Sequence, residues 1–365
     1  MAEAALPPGS IVGILGGGQL GRMLSLAAAQ LGIDAHIFCD KADAPSFKVA
    51  ASHVCAPFDD EAALIRFARN CDVVTFEFEN VPYDALRVIS NYTPVYPPPE
   101  ALRVIQDRGE EKTFLSSLGI SIAPFRKVDS LNGLVAAVDG IGLPAMLKTR
   151  RFGYDGKGQV RLTSSTSLER AWDDIAGAPA VLESFVTFER EVSIVAARDA
   201  AGNHAFYDLT ENRHENQILA VSRVPAPGAS ELEAGARAIA ARIMDAFGYV
   251  GVLAVEMFVC NDGSGPRLLV NEMAPRVHNS GHWTLDACGA SQFETHIRAV
   301  AGWPLASTER HSDAVMTNLI GTDANLWLEL AADPRNRVHL YGKSEAKPGR
   351  KMGHVTRISP LGEGG

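Results

Sequence analysis

The sequence predicts an α/β protein built from more than one domain. Three observations lead there. Ile11 to Cys39 reads as a strand, a glycine loop, a helix and a second strand. Three consecutive prolines, Pro97 to Pro99, then set a stiff break in the chain. At 365 residues the chain is also longer than the ~100–200 residues of one domain, so two or three are expected.

Composition narrows the partners. Hydrophobic residues make up 46% and charged residues 21%, the balance of a soluble globular protein. The net charge of −9 and the lack of a long basic run argue against a nucleic-acid partner. No apolar run approaches the ~20 residues that cross a bilayer, so no membrane partner is expected. Met1 to Ser10 lacks a basic segment followed by an apolar one, and no signal peptide is expected. Cys39, Cys55, Cys71, Cys260 and Cys288 are odd in number and form no CxxC pair, which suits reduced thiols and a cytoplasmic location.

Taken in order, Ile11–Leu15 is an apolar strand and Gly16 to Gly21 a GxGxxG loop. A helix follows from about Arg22 to Leu31, then a strand from Ala35 to Cys39 that ends in Asp40. Such glycines let a backbone approach an anion at a helix N-terminus. The loop alone fits either a dinucleotide or another phosphate. Val73 to Asn80 reads as a later strand of the same sheet, with Glu77 and Glu79 at the end where α/β sheets bind ligands. A solvated strand terminus explains them equally well. After the prolines, one helix is expected from about Pro99 to Leu118, carrying Asp107, Arg108 and Lys112.

Leu143 to Lys148 reads as a strand that delivers a lysine into a loop, Thr149 to Gln159, holding three glycines and three cations, four with Lys148. Backbone N–H groups and cations of this kind suit a flap over polyphosphate. GxxxxGK[ST] is absent, so it is not a Walker A loop. Strands follow at Ala180 to Val186 and Val192 to Ala197. Glu211 to His214 reads as a polar loop, and Leu232 to Phe247 as a helix capped by Gly248.

Val250 to Val259 and Leu268 to Val270 read as strands joined by a turn at Asn261 to Gly265. A hairpin centred on Ser264 sets Glu256 opposite Glu272, about 4.5–5.5 Å apart. Two unpaired acids in apolar strands need compensation. A divalent cation is the simplest source, and a protonated acid the alternative. Carboxylates without a nearby thiolate favour Mg²⁺, or Mn²⁺, over Zn²⁺. His278 and His282 are four apart, but Pro275 and Gly281 argue for a loop and HExxH is absent, so they are not expected to bind zinc. Phe293 to Ala301 reads as a helix, and a small terminal segment follows Pro304 with a basic run from Lys343 to Lys351.

Five stretches carry a resemblance: GGGQLGRM from Gly16, FEFENVP from Phe76, GYDGKGQ from Gly153, NEMAPRVHNSGHW from Asn271 and KPGRKMGH from Lys347. In this order they resemble the ATP-grasp ligases, and among them the 5-(carboxyamino)imidazole ribonucleotide synthase family of purine biosynthesis. The likeness runs from about Ile11 to Val355. Gln217 departs from it, standing where glycine is expected, and the Asn261–Pro266 turn is longer than needed.

The resemblance implies an ATP-grasp fold with an N-terminal Rossmann-like parallel-sheet domain and a small C-terminal β-rich domain. The expected domains are 1–106, 107–303 with a mobile lid around 122–182, and 304–365. It implies that ATP is held by Arg108, Lys148, Gly153, Tyr154, Asp155, Gly156, Lys157, Gly158, Gln159, Glu183, Ser184, Phe185, Val186, Glu191, His214, Asn271 and Glu272. Glu183 to Val186 are expected at the adenine and Glu191 at the ribose. Gln19, Leu20, Glu77, Asn279, Lys343, Arg350 and Lys351 are the implied ribonucleotide-binding positions. Glu256 and Glu272 are the expected metal ligands. Arg276, His278, Asp155, Lys343 and Arg350 are the expected catalytic set. Arg276 stands four residues past Glu272, and its planar fork suits an anion such as carboxyphosphate.

The implied reaction joins aminoimidazole ribonucleotide to bicarbonate at the expense of ATP, in a homodimer of the family type. The formate-using glycinamide ribonucleotide ligases are the nearest alternative. A nicotinamide-dependent oxidoreductase using Gly16 to Gly21, or a silent nucleotide-binding subunit, leaves the lysines and paired acids without a use.

Overall fold

The computed structural model describes residues 5–153, 157–261, 263 and 265–363. The expected positions Tyr154, Asp155, Gly156 and Ser264 lie outside the described residues.

The first sheet is all parallel. Its order is Ser52–Cys55, Asp34–Cys39, Ile11–Leu15, Val73–Phe76. Strands covered on both faces are apolar throughout, and all four residues of Val73–Phe76 are buried. This strand ends at Phe76, short of the expected Asn80, and the acids beyond it are free to turn toward other elements.

The single helix expected over Pro99 to Leu118 is two, Pro99–Ile105 and Arg108–Ser117. Asp107 separates them. It is extended, and its side chain accepts from the N–H groups of Gly109 at 2.8 Å and Glu110 at 3.1 Å. That is an N-cap, which satisfies donors a continuous helix would not leave open.

A second sheet is antiparallel, in the order Phe125–Val128, Ala180–Ser184, Ala145–Thr149, Gln159–Leu162. The helices Leu131–Ile141 and Leu168–Asp174 close over it, with a core of their own around Leu134, Leu147, Leu162 and Leu182.

The third sheet has nine strands. Its path runs Pro266–Ala274, Gly251–Asn261, Arg190–Arg198, Thr210–Glu215, Ile218–Val224, Asp313–Ile320, Lys351–Ser359, Asn336–Leu340, with His204–Phe206 beside Arg190–Arg198. The terminal strands therefore extend the central sheet through Ile218–Val224. Glu211 to His214, expected as a loop, lies inside a strand of this sheet. Its polar groups are satisfied across the strands: Asn212 donates to Ser193 Oγ and accepts from Ser222 Oγ, both at 2.8 Å. The helix Ala229–Phe247 packs on the sheet and ends at Gly248, left-handed at φ 57° as expected of a C-cap.

One core joins the first and third sheets, from Val12, Ile14 and Leu24 to Val252, Phe293 and Ile297. His296 bridges them. Its Nδ1 accepts from Val252 N–H at 3.0 Å and its Nε2 meets Thr75 Oγ1 at 2.7 Å. Burial pushes this histidine down to about 3, so the ring is neutral and Nε2 is the donor.

Candidate active site

The three sheets surround a cleft of about 760 Å³. Gln19, Leu20 and Glu77 line it from the first sheet, Lys148, Gly153 and Lys157 from the second, and Glu191, Glu272 and Arg276 from the third.

The glycine loop is organised around a side chain of the protein itself. Gly18 N–H donates to Glu77 Oε1 at 2.6 Å, and Gly21 N–H to Oε2 at 3.1 Å. A Cβ on Gly16 would stand 2.5 Å from Glu77 Cγ, and one on Gly18 2.8 Å from Oε1. The glycines thus make room for a carboxylate at the positive end of the helix Gln19–Gln30. A dinucleotide pyrophosphate would have to displace it, which removes the support for the oxidoreductase reading. Burial raises the pKa of Glu77, against the pull of the two N–H groups, Arg276 and Lys343. Glu79 is not a solvated terminus either: its Oε1 accepts from Arg276 at 2.6 Å. That contact ties the first sheet to the loop after Glu272.

Glu256 pairs with Glu272 across the hairpin, as expected. The route differs. From Asn261↔Pro266 to Met257↔Val270 the ladder has a register that would set Asn271 opposite Glu256. A bulge adds Asn271 as an extra residue and brings Glu272 into line. Charge repulsion between the acids is met by the protein's own side chains. Arg108 donates to Glu272 Oε2 at 2.7 Å, and His278 Nε2 lies 3.0 Å from Glu256 Oε1. Burial pushes the Glu272 carboxyl up, but Arg108, then Lys148 and His278, outweigh it and hold it at about 2. Compensation by itself therefore does not require a metal. The donor set is a separate argument. Asn271 Oδ1 is buried and has no hydrogen-bond partner among the described residues. With Glu256 and Glu272 it makes three oxygen donors on the wall of one cleft, a set that fits a hard divalent cation.

Glu183 grips two lysines: Lys148 Nζ at 3.0 Å and Lys112 Nζ at 3.1 Å. Ser184, Phe185 and Val186 after it line the cleft. Lys112 is 1% exposed and was not anticipated as a site residue, nor was Glu111 beside it. Glu111 accepts from Met273 N–H at 2.7 Å, and burial pushes its carboxyl up to about 8. The available signal was spacing, since Arg108, Glu111 and Lys112 fall on one face of a helix.

Glu191 and His214 form an ion pair on adjacent strands. Burial lowers the His214 pKa, but the Glu191 carboxylate outweighs it and leaves the value raised. Gln159, at the start of the strand Gln159–Leu162, donates to Gln217 Oε1 at 2.6 Å. Gly158 before it accepts from Thr149 N–H at 2.8 Å.

Arg276 also donates to the Val277 carbonyl at 2.9 Å, while its Nε is buried without a partner among the described residues. His278 and His282 diverge. His278 faces Glu256 and Ser280, and His282 faces Gln292. Asn279 exchanges amide hydrogen bonds with Asn318. Of the terminal basic residues, Lys351 lines the cleft, whereas Lys343 and Arg350 stand outside its lining. Lys343 donates to the Lys351 carbonyl at 2.6 Å and Arg350 to the Glu345 carbonyl at 3.0 Å. Burial, then the charge of Arg350, pushes Lys343 down to about 8.

Comparison with known proteins agrees with this geometry. Three family models match in chain order: a ribonucleotide synthetase preATP-grasp domain at 10–106, an ATP-grasp domain at 113–293 and a phosphoribosylaminoimidazole carboxylase C-terminal domain at 314–362. The N5-carboxyaminoimidazole ribonucleotide synthase of Brucella melitensis is 52% identical over 362 residues, 99% of each chain. That of Bacillus subtilis is 41% identical, covering 98% of this chain and 93% of the relative. The crystal structure of the Thermus thermophilus synthetase has a TM-score of 0.88 at 46% identity, over 95% of this chain and 93% of that one. The Aspergillus clavatus synthase in complex with ADP and 5-aminoimidazole ribonucleotide has a TM-score of 0.90 at 32% identity, over 97% and 94%. The chain belongs to the N5-carboxyaminoimidazole ribonucleotide synthase family of ATP-grasp enzymes.

Proposed function

We infer that this protein is an ATP-dependent carbon–nitrogen ligase that carboxylates 5-aminoimidazole ribonucleotide with bicarbonate, giving ADP and phosphate in purine biosynthesis. The observation that carries the reading is the meeting, in one cleft, of Lys148 from the second sheet, the paired acids of the hairpin and the Glu77 cradle. ATP use and small-molecule substrates follow from family membership.

The reaction has two balanced steps. A bicarbonate oxygen forms a bond to the γ-phosphorus as the bond to ADP breaks, giving carboxyphosphate. The 5-amino nitrogen then bonds to the carboxyl carbon, phosphate leaves, and the nitrogen loses a proton. Phosphoryl transfer of this kind depends on positioning and charge neutralisation more than on a protein nucleophile.

Lys148 and Arg108 hold the ATP phosphates in this reading, and Arg108 exchanges Glu272 for phosphate as the nucleotide enters. Glu183 keeps Lys148 and Lys112 in place. Glu191 and His214 hold the ribose. Glu256, Asn271 and Glu272 would hold Mg²⁺, or Mn²⁺, which neutralises phosphate charge when bound. Arg276, anchored by Glu79, offers its remaining donors to carboxyphosphate, with His278 beside it. Asp155 is assigned to catalysis by likeness alone. Gln19, Leu20, Glu77, Asn279 and Lys351 surround the ribonucleotide, with Lys343 and Arg350 closing from the terminal segment. The working domain limits are 1–106, 107–303 with the lid at 122–182, and 304–365; the separate core of the second sheet supports the lid. Family likeness supports a homodimer and a cytoplasmic location. No described helix is long and apolar enough to cross a membrane.

The test is ADP release with substrates omitted one at a time. Release should require both aminoimidazole ribonucleotide and bicarbonate. Release that needs glycinamide ribonucleotide and formate instead would assign the protein to the formate-using ligases.

A further inference from the structure

We propose that Asp286, His339 and His354 form a second metal site, for one transition-metal ion of the Zn²⁺ class, apart from the nucleotide cleft. Their ligand atoms all lie within 4.8 Å of one another. His339 and His354 are directly opposite on the two terminal strands, Asn336–Leu340 and Lys351–Ser359. Their rings are nearly parallel, at 15°, with centroids 4.6 Å apart. Asp286 reaches them from the short helix Thr284–Ala287, its two oxygens 3.1 and 2.9 Å from His339 Nε2.

The second observation is an orphan atom. His354 is fully buried, and its Nδ1 lies 2.9 Å from the Tyr341 hydroxyl. Its Nε2 is buried with no hydrogen-bond partner among the described residues. Buried polar atoms are nearly always partnered, so an unmet imidazole nitrogen beside a carboxylate and another imidazole calls for a ligand. A plain ion pair between His339 and Asp286 accounts for two of the three groups and leaves that nitrogen unmet.

The donor chemistry separates this cluster from the acids of the cleft. Oxygen donors suit Mg²⁺, whereas two imidazoles with one carboxylate suit Zn²⁺. The ion takes the place of the hydrogen between His339 Nε2 and Asp286, and the neutral ring that ligates it carries its hydrogen on Nδ1. Tyr341 supplies the outer support: with Nε2 on the metal, His354 Nδ1–H donates to the Tyr341 oxygen and fixes the ring. Zn–N bonds of about 2.0–2.1 Å require the nitrogens to close in from their present spacing. His339, with a side chain 32% exposed, can rotate to do this and gives the ion a path from solvent. The bound ion would staple the terminal strand pair to the segment that follows His278 and Asn279.

The test uses the full-length protein, stripped by a chelator and dialysed against zinc chloride with Mg²⁺ in excess. Metal content should reach one zinc per chain. Tyr341→Phe should weaken uptake by about 10–100-fold, the cost of losing such a support. His339→Ala, a change at a partly exposed edge position, should abolish uptake and also the visible bands of bound Co²⁺. Failure of the wild-type protein to take up stoichiometric zinc would overturn the proposal. So would uptake that survives in His339→Ala, since the ion would then sit elsewhere, at the exposed Cys55 or the cleft acids.

Discussion

Replacing Gln217 by glycine should separate lid closure from fold stability. Gln217 occupies the turn after Thr210–Glu215 at φ 66°, beside Asn216 at φ 49°. A left-handed conformation costs a non-glycine residue roughly 1–2 kcal/mol. Against that, the side chain holds Gln159, in the proposed lid, at 2.6 Å, and both residues line the cleft. An exposed neutral hydrogen bond contributes about 0.5–1.5 kcal/mol. In global stability the two terms nearly cancel. In the proposed lid equilibrium they do not: on that reading the strain persists whether the lid is open or closed, while the bond joins lid and sheet only when it is closed. The closed state should weaken by about 0.5–1.5 kcal/mol, so nucleotide should leave about 2–13 times faster. Stopped-flow release of a fluorescent ADP analogue measures this, with urea unfolding as the control. An unchanged release rate would refute the clasp, as would a fall in stability of the size of the rate effect.

Three further outcomes follow from the site. Gly18→Ala puts a Cβ 2.8 Å from Glu77 Oε1 and should displace that carboxylate. Loss of a charge-assisted bond at about 1.5–3 kcal/mol predicts ribonucleotide binding at least about tenfold weaker, with ATP affinity kept; calorimetric titrations showing equal losses would contradict it. Glu256→Gln and Glu272→Gln should each lower ADP formation at limiting Mg²⁺ by at least about a hundredfold, since the ion supplies several kcal/mol of charge stabilisation; near-normal turnover in either would exclude the acid pair as the metal site. The raised pKa of His214 sets a pH dependence. Its pairing with Glu191 stabilises the fold fully below the unfolded value of about 6.5 and is lost as pH rises through the raised value. Thermal melts should show that decline in the wild-type protein and not in Glu191→Gln.

The parts of this fold legible in the sequence are those set by local pattern. Apolar runs marked three of the four parallel strands, Gly248 marked a helix end, and the turn at Asn261 to Gly265 marked the hairpin that carries Glu256 and Glu272. What stayed hidden depends on contacts distant in sequence. The GxGxxG loop has the form of a phosphate site, and only the fold shows Glu77 filling it from 59 residues away. Asn271 carries no signal as a letter, yet as the extra residue of a bulge it sets Glu272, in its own place, opposite Glu256. Glu211 to His214 looked like a loop because its polar residues have no visible partners until Ser193 and Ser222 lie alongside. Lys112 was legible only as a residue of a helix, and its burial against Glu183 is a tertiary fact.

The most direct test of the account follows carbon. Labelled bicarbonate is supplied with ATP, Mg²⁺ and aminoimidazole ribonucleotide, and both ADP and label in the ribonucleotide are measured. The account predicts label in an acid-labile product, formed in step with ADP and absent when either ATP or aminoimidazole ribonucleotide is left out. ADP formed without transfer of bicarbonate carbon, or incorporation of labelled formate in its place, would contradict it.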